Sequence, residues 1–353
     1  MTASPDVDIL FDQQGSAGLV TLNRPQALNA LTRQMVLGLR AKLEQWRDDP
    51  AVTRVIVTAS PGRAFCAGGD LREIYDLGRA GRQPEALAFF RAEYGLNATI
   101  KQYPKPYIAL IDGIVMGGGV GISAHGSHRV ASENWVFAMP EVGIGFFPDV
   151  GATWFLPRCH GQIGTYCALT GERLGAADAM TAGIATHHVP RARLPELLDR
   201  LCGDAAVDET LASFARAPAG EPTLLRQDIS RSFAHENVEE ILAHLEAEGA
   251  VGGATSAWAA ATAKIMRTKA PLSLKIALAQ IRRGINWSFA ECMRAEFRIV
   301  SRVLYDHDFY EGVRALIIDK DNQPRWRPDR LTDVSTAEVE RHFAAIPEEF
   351  AWP

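Results

Sequence analysis

The chain has 353 residues, 47% hydrophobic and 22% charged, with a formal net charge of −5. That is ordinary globular composition, with room for one large domain or two small ones. It holds no basic tract interleaved with aromatics, which argues against a nucleic-acid partner, and no apolar run of membrane-spanning length, which argues against a membrane one.

The predicted elements alternate along the chain. Ser16 to Leu22 and Arg54 to Ala59 read as short buried strands. Between them Leu31, Met35, Leu39 and Leu43 recur every four residues, the stripe of an amphipathic helix. A glycine-bearing loop follows at Ala64-Phe65-Cys66-Ala67-Gly68-Gly69-Asp70, where Asp70 is placed to cap a helix. Tyr107 to Ile111 is another apolar strand. It leads to a second loop, Met116-Gly117-Gly118-Gly119-Val120-Gly121, with a helical stretch from near Val120. His128 to Ala131 and Trp135 to Ala138 are further short strands. Beyond about residue 190 the pattern is mainly helical, with a second helical run after Pro271. Strands alternating with helices predict an α/β fold with crossover connections.

One stretch carries charge where charge is rare. Glu141 and Asp149 stand among Met139, Val142, Ile144, Phe146, Phe147 and two prolines. A carboxylate in such surroundings loses hydration, its pKa rises, and it can act as base or acid near neutral pH. The two upstream loops matter for the same reason. Glycines let the backbone approach a ligand and turn amide hydrogens towards it. Two such loops can supply the paired donors of an oxyanion hole.

Other motifs carry less. Gly119-Val120-Gly121-Ile122-Ser123-Ala124 fits a loose dinucleotide pattern, but Glu141 does not end a second strand as that scheme requires. His125 and His128, and the pair His187-His188, lack a carboxylate at metal-ligand spacing, so no metal is expected. Cys66 reads as a packed small hydrophobe and Ser123 lacks a hydrolase elbow. Five cysteines with no Cys-x-x-Cys fit a reducing compartment. The first residues show neither a basic start nor an apolar signal core. These points give the expectation of a soluble, cytoplasmic protein.

Taken together, the loops and carboxylates resemble the crotonase (enoyl-CoA hydratase/isomerase) superfamily. Asn23-Arg24-Pro25-Gln26-Ala27-Leu28-Asn29-Ala30-Leu31 is similar to its N-terminal signature, and the two glycine loops to its oxyanion loops. Phe90-Arg91-Ala92-Glu93-Tyr94, Phe147-Pro148-Asp149-Val150-Gly151 and the stretch from His307 to Trp326 resemble more closely its 3-hydroxyisobutyryl-CoA hydrolase branch. The likeness covers about residues 9–345 and is weakest over 204–260.

The resemblance implies a ββα spiral core over residues 1–200 and a helical region over 201–353 packing on it. It implies that the amides of Gly69 and Gly118 hold the thioester oxygen. Ala27, Ala67 and Gly69 then lie along coenzyme A, and Glu141 is nucleophile or general base. Asp149 and Glu93 then bind the substrate hydroxyl. The substrate is an acyl-CoA, and no cofactor beyond the coenzyme A of that substrate is implied. The superfamily's varied assemblies make a homo-oligomer one expectation. Gly121 falls where hydratases carry their second glutamate, which shifts the expected reaction from hydration to hydrolysis. The alternatives are an enoyl-CoA hydratase or isomerase, and an acyl-CoA-binding protein without catalysis.

Overall fold

The computed structural model describes residues 7–220, 222, 226–253 and 255–352. Its strands are β1 (Ile9–Gln14), β2 (Ala17–Leu22), β3 (Arg54–Ala59), β4 (Ala64–Cys66), β5 (Tyr107–Ile111), β6 (Ile114–Met116), β7 (His128–Ala131), β8 (Val136–Ala138) and β9 (His187–His188). They form a six-stranded sheet in the order β1-β2-β3-β5-β7-β9 and a three-stranded sheet in the order β4-β6-β8. Among the described strand pairs, β1–β2 is antiparallel and the others are parallel.

The topology is a spiral. β3, β5 and β7 go to the larger sheet, and β4, β6 and β8, each next along the chain, go to the smaller one. Helices complete the turns. α1 (Arg33–Arg47) precedes β3, α2 (Leu71–Arg79) and α3 (Gln83–Lys101) follow β4, and the single turn α4 (Gly118–Gly121) follows β6. This is the ββα spiral expected from the sequence.

The central strands of the larger sheet, β2, β3 and β5, are buried on both faces, which is why they read as continuous apolar runs. Val55, Val57, Tyr107, Ala109 and Ile111 face one core. Ile56, Ile108 and Leu110 face the other, against Leu197, Leu201, Leu211 and Phe214. The first core runs from Ile9 to Phe350, so residues from both ends of the chain share it. In α1 the buried side chains are Met35, Val36, Leu39, Leu43 and Trp46, while Thr32 caps the helix by accepting from Met35 N. Leu31 lies before that helix rather than on it.

Three features differ from the sequence reading. β4 and β6 are three-residue strands, too short to show a period, and gain meaning only from each other and β8. α3 was not foreseen because it is buried almost all round from Ala86 to Ile100, which removes the amphipathic stripe. The helix expected near Val120 is one turn beginning at Gly118.

The C-terminal helices fix the segment that carries Glu141 and Asp149. Ala270 N donates to Val142 O at 3.1 Å, just before the helix Pro271–Gly284. Gln280 Nε2 of that helix donates to Pro148 O. The carbonyl of Asp308, in the helix His307–Val313, packs against Gly145 where any side chain would stand. Gly145 has φ 67°, a conformation glycine adopts without a Cβ penalty.

Candidate active site

The first loop is pinned at both ends. Ala67 N donates to Leu28 O at 3.0 Å, Leu31 N to Gly68 O at 2.8 Å, and Asp70 N to Leu31 O at 3.0 Å. Asp70 caps α2 by accepting from Glu73 N and also meets Arg24 at 2.9 Å. The segment around Ala27 is held in turn by buried Asn29, which donates to Ala64 O at 2.9 Å and accepts from Arg24 N at 2.7 Å. Leu28 and Asn29 both have positive φ, 52° and 55°. Such strain persists where neighbouring bonds over-determine the backbone. Ala27 and Ala67 are partly exposed and lie on hydrogen-bonded neighbouring segments.

The second loop packs against the first. A Cβ on Gly118 would lie 3.3 Å from the carbonyl carbon of Gly68, and one on Gly68 3.9 Å from Gly118 N. A Cβ on Gly119 would overlap the Cys66 carbonyl, so this approach requires glycine. Among the described residues, the N–H groups of Gly69 and Gly118 donate to no protein acceptor. Two free donors on abutting loops can hold a developing oxyanion.

Two glutamates reach the second loop. Oε1 of Glu141 lies 3.4 Å from the Cβ position of Gly117. Oε1 of Glu93, from α3, lies 2.5 Å from that of Gly118. Glu141 Oε2 and Glu93 Oε1 are buried without a hydrogen-bond partner in the protein. Both carboxyls are pushed well above the ordinary range, by burial first and the charge of Asp149 second. Asp149 is raised to about 7 by burial, against a 2.8 Å hydrogen bond from the Tyr94 hydroxyl that holds it down. Carboxylates this close cannot all ionise together, so near neutrality they share protons.

The sequence analysis gave no role to Tyr94, Asn97 or Glu296. Glu296, on the helix Phe289–Val303, accepts from Gly151 N at 2.8 Å and Thr153 N at 2.9 Å. Burial and then the Asp149 charge raise it to about 8. It anchors the chain just past Asp149. Nothing local marked it in the sequence, since Arg294 and Arg298 flank Glu296 and the stretch reads as an ordinary amphipathic helix. Asn97 lies one helical turn after Glu93, fully buried, with both amide atoms unpartnered. A Cβ on Gly121 would lie 2.8 Å from Asn97 Nδ2 and 2.8 Å from Val150 Cβ. Gly121 therefore lacks a side chain and also lacks room for one.

An aromatic shell keeps the carboxylates dry. Phe146 stacks on Phe90 at 5.5 Å and on Phe147 at 4.7 Å, and meets Phe309 at 5.5 Å. Away from this centre, Asp306, Glu338 and His342 converge, but Arg341 already bonds both carboxylates. Cys66 is buried and its thiol raised to about 12 by burial, which suits packing rather than attack.

A parallel spiral of this kind, with two glycine loops abutting beside buried carboxylates, defines a crotonase-type enzyme. The chain is a member of the enoyl-CoA hydratase/isomerase family, whose model matches residues 17–343. It is 42% identical over 359 residues to a zebrafish (Danio rerio) protein named 3-hydroxyisobutyryl-CoA hydrolase, mitochondrial, covering 99% of this chain and 92% of that one. The human (Homo sapiens) protein of the same name is 40% identical over 350 residues, covering 96% and 89%. Two solved structures are also similar. A carnitinyl-CoA dehydratase from Mycobacterium thermoresistibile has TM-score 0.92 and 40% identity, covering 98% of this chain and 99% of that one. An enoyl-CoA hydratase from Rhodobacter sphaeroides 2.4.1 has TM-score 0.88 and 38% identity, covering 98% and 100%.

One expectation is overturned. The sequence suggested a cytoplasmic protein, whereas the relatives are named mitochondrial, which contradicts that expectation. Compartment was inferred from the composition of the first residues and from reduced thiols. The five buried free cysteines fit any reducing compartment and do not choose between them.

Proposed function

We propose that this protein hydrolyses short 3-hydroxyacyl-CoA thioesters, with 3-hydroxyisobutyryl-CoA as its substrate, in valine degradation. The observation that carries the reading is Gly121. Water addition in the resembling hydratases uses a glutamate there, and here Asn97 and Val150 fill that space. Thioester hydrolysis needs one base or nucleophile and an oxyanion hole. The names of the relatives agree with that reaction.

In this scheme the N–H groups of Gly69 and Gly118 hold the thioester oxygen, with Ala27 and Ala67 along the coenzyme A. The Glu141 carboxylate attacks the carbonyl carbon, or takes a proton from a water that does. The C–S bond breaks and the thiolate of coenzyme A leaves and is protonated; where Glu141 itself has attacked, water then hydrolyses the resulting anhydride, and by either route the acid is released and Glu141 is freed. Asp149 and Glu93 take the 3-hydroxyl and relay protons. The only cofactor chemistry in the scheme is the coenzyme A of the substrate itself.

A second reading has its own support. Glu93 and Glu141 flank the same glycine loop, which supplies two carboxylates from a different pair of elements. The two solved structures titled dehydratase and hydratase favour it. A thiol-release assay over 3-hydroxyisobutyryl-CoA, other short acyl-CoAs and crotonyl-CoA separates the readings. Hydrolysis releases thiol, fastest from the hydroxylated substrate. A hydratase or isomerase changes enoyl absorbance without releasing thiol. A binding protein does neither.

A further inference from the structure

A cavity of about 370 Å³ is lined in part by His125, whose ring meets Val150 O. Its lining includes Lys101, His125, Arg129, Trp154, Arg158 and His160. It shares no residue with the loops or the carboxylates of the site described above.

Three cations converge here without a counter-charge. Among the described residues, no carboxylate forms an ion pair with Lys101, Arg129 or Arg158. Arg129 is fixed by donating to Ile184 O at 2.7 Å and Gly126 O at 2.8 Å. Arg158 donates to the carbonyls of Trp154, Gly284, Ile285 and Trp287. Carbonyls hold a guanidinium in place but leave its net charge uncompensated. The Lys101 ammonium lies 3.8 Å from the Trp154 ring centroid, and Arg158 lies over the same ring at 4.6 Å. Burial and then the charges of Arg129 and Arg158 lower the Lys101 pKa. Like charges gathered in a partly buried pocket are costly unless an anion joins them.

His125 supplies an independent observation. It is buried, with Nε2 at 2.6 Å from Val150 O. Burial pulls the ring down to about 4, so it is neutral near pH 7 and Nε2–H is the donor to that carbonyl. Nδ1 is then an acceptor, and it has no partner in the protein. A fully ionised anion cannot satisfy it, but an oxyanion that retains one O–H can.

We propose that this cavity is a binding site for a phosphate group, with Lys101, Arg129 and Arg158 on its charged oxygens and His125 Nδ1 accepting from its remaining hydroxyl. The cavity, at about 370 Å³, has room for such a group, and its charge is complementary. Both faces of recognition, cationic and acceptor, come from residues with no part in the proposed thioester chemistry.

The test is calorimetric titration of the full chain at pH 7 and constant ionic strength, with inorganic phosphate, methyl phosphate, sulfate and succinate as probes. Phosphate is expected to bind, and sulfate and succinate at least tenfold more weakly because they bring no O–H. Methyl phosphate, largely a dianion without an O–H at pH 7, should bind as weakly as sulfate, and binding as tight as that of inorganic phosphate would overturn the proposed contact with His125. Lys101→Met removes one charge-assisted contact and should weaken phosphate about tenfold, the order of one such hydrogen bond. Lys101→Arg should restore it, and thermal midpoints without phosphate check that both variants fold. Absence of phosphate binding to the unmodified protein overturns the proposal. So does sulfate binding as tightly as phosphate, or Lys101→Met binding like the unmodified chain. Displacement of phosphate by coenzyme A would place the ion in the substrate site and overturn it too.

Discussion

The Tyr94 hydroxyl donates a 2.8 Å hydrogen bond to Oδ2 of Asp149, and both residues are buried. That bond favours the charged form of Asp149 against the burial that raises its pKa. Asp149 lies within electrostatic reach of Glu93, Glu141 and Glu296, and its charge raises all three.

Tyr94→Phe removes a donor that favours the charged form of Asp149. The Asp149 pKa, already about 7, should therefore rise. A hydrogen bond to a charged group contributes about 1.5–3 kcal/mol, which corresponds to roughly one to two pH units. The limb of the pH profile of kcat/KM governed by this group should move upward by that amount. An unmoved profile would separate Asp149 from the rate.

The same burial makes a stability prediction. Asp149 has a folded pKa of about 7, above its ordinary value of 3.8. A carboxyl raised on folding stabilises the fold below the unfolded pKa, and that contribution is lost as pH rises through the folded one. Asp149→Asn removes the charge. It should raise the thermal midpoint at pH 8, on the order of 3 °C, with little change at pH 5. Parallel melting curves at the two pH values check the sign.

Gly121→Glu should not create a hydratase. The new Cβ would meet Asn97 and Val150 at 2.8 Å each. Overpacking of this kind costs about 1–3 kcal/mol, and a further buried carboxylate adds to it. The expected result is a lowered midpoint with no gain of crotonyl-CoA hydration, followed by enoyl absorbance. Efficient hydration by this variant would remove the argument from Gly121.

Much of this arrangement was legible in the sequence, for definite reasons. β2, β3 and β5 are buried on both faces and read as apolar runs. Glu141 and Asp149 stood out because charge is rare among phenylalanines and prolines. Glu93 entered only through the family resemblance, because α3 is too evenly buried to show a face. The Tyr94–Asp149 bond spans 55 residues and the Glu296–Gly151 bond 145, and no local pattern encodes such pairings. Gly121 showed a missing side chain, but only the packing of Asn97 and Val150 shows that none fits.

Glu141 is the residue on which the account turns. The most direct measurement is coenzyme A thiol release from 3-hydroxyisobutyryl-CoA by the unmodified protein and by Glu141→Gln, with melting curves confirming that both are folded. The account predicts robust release by the first. In the second, kcat should fall by roughly 10²–10⁴, the usual contribution of a general base, with KM little changed. Near-normal release by Glu141→Gln, or no release by the unmodified protein, would contradict it.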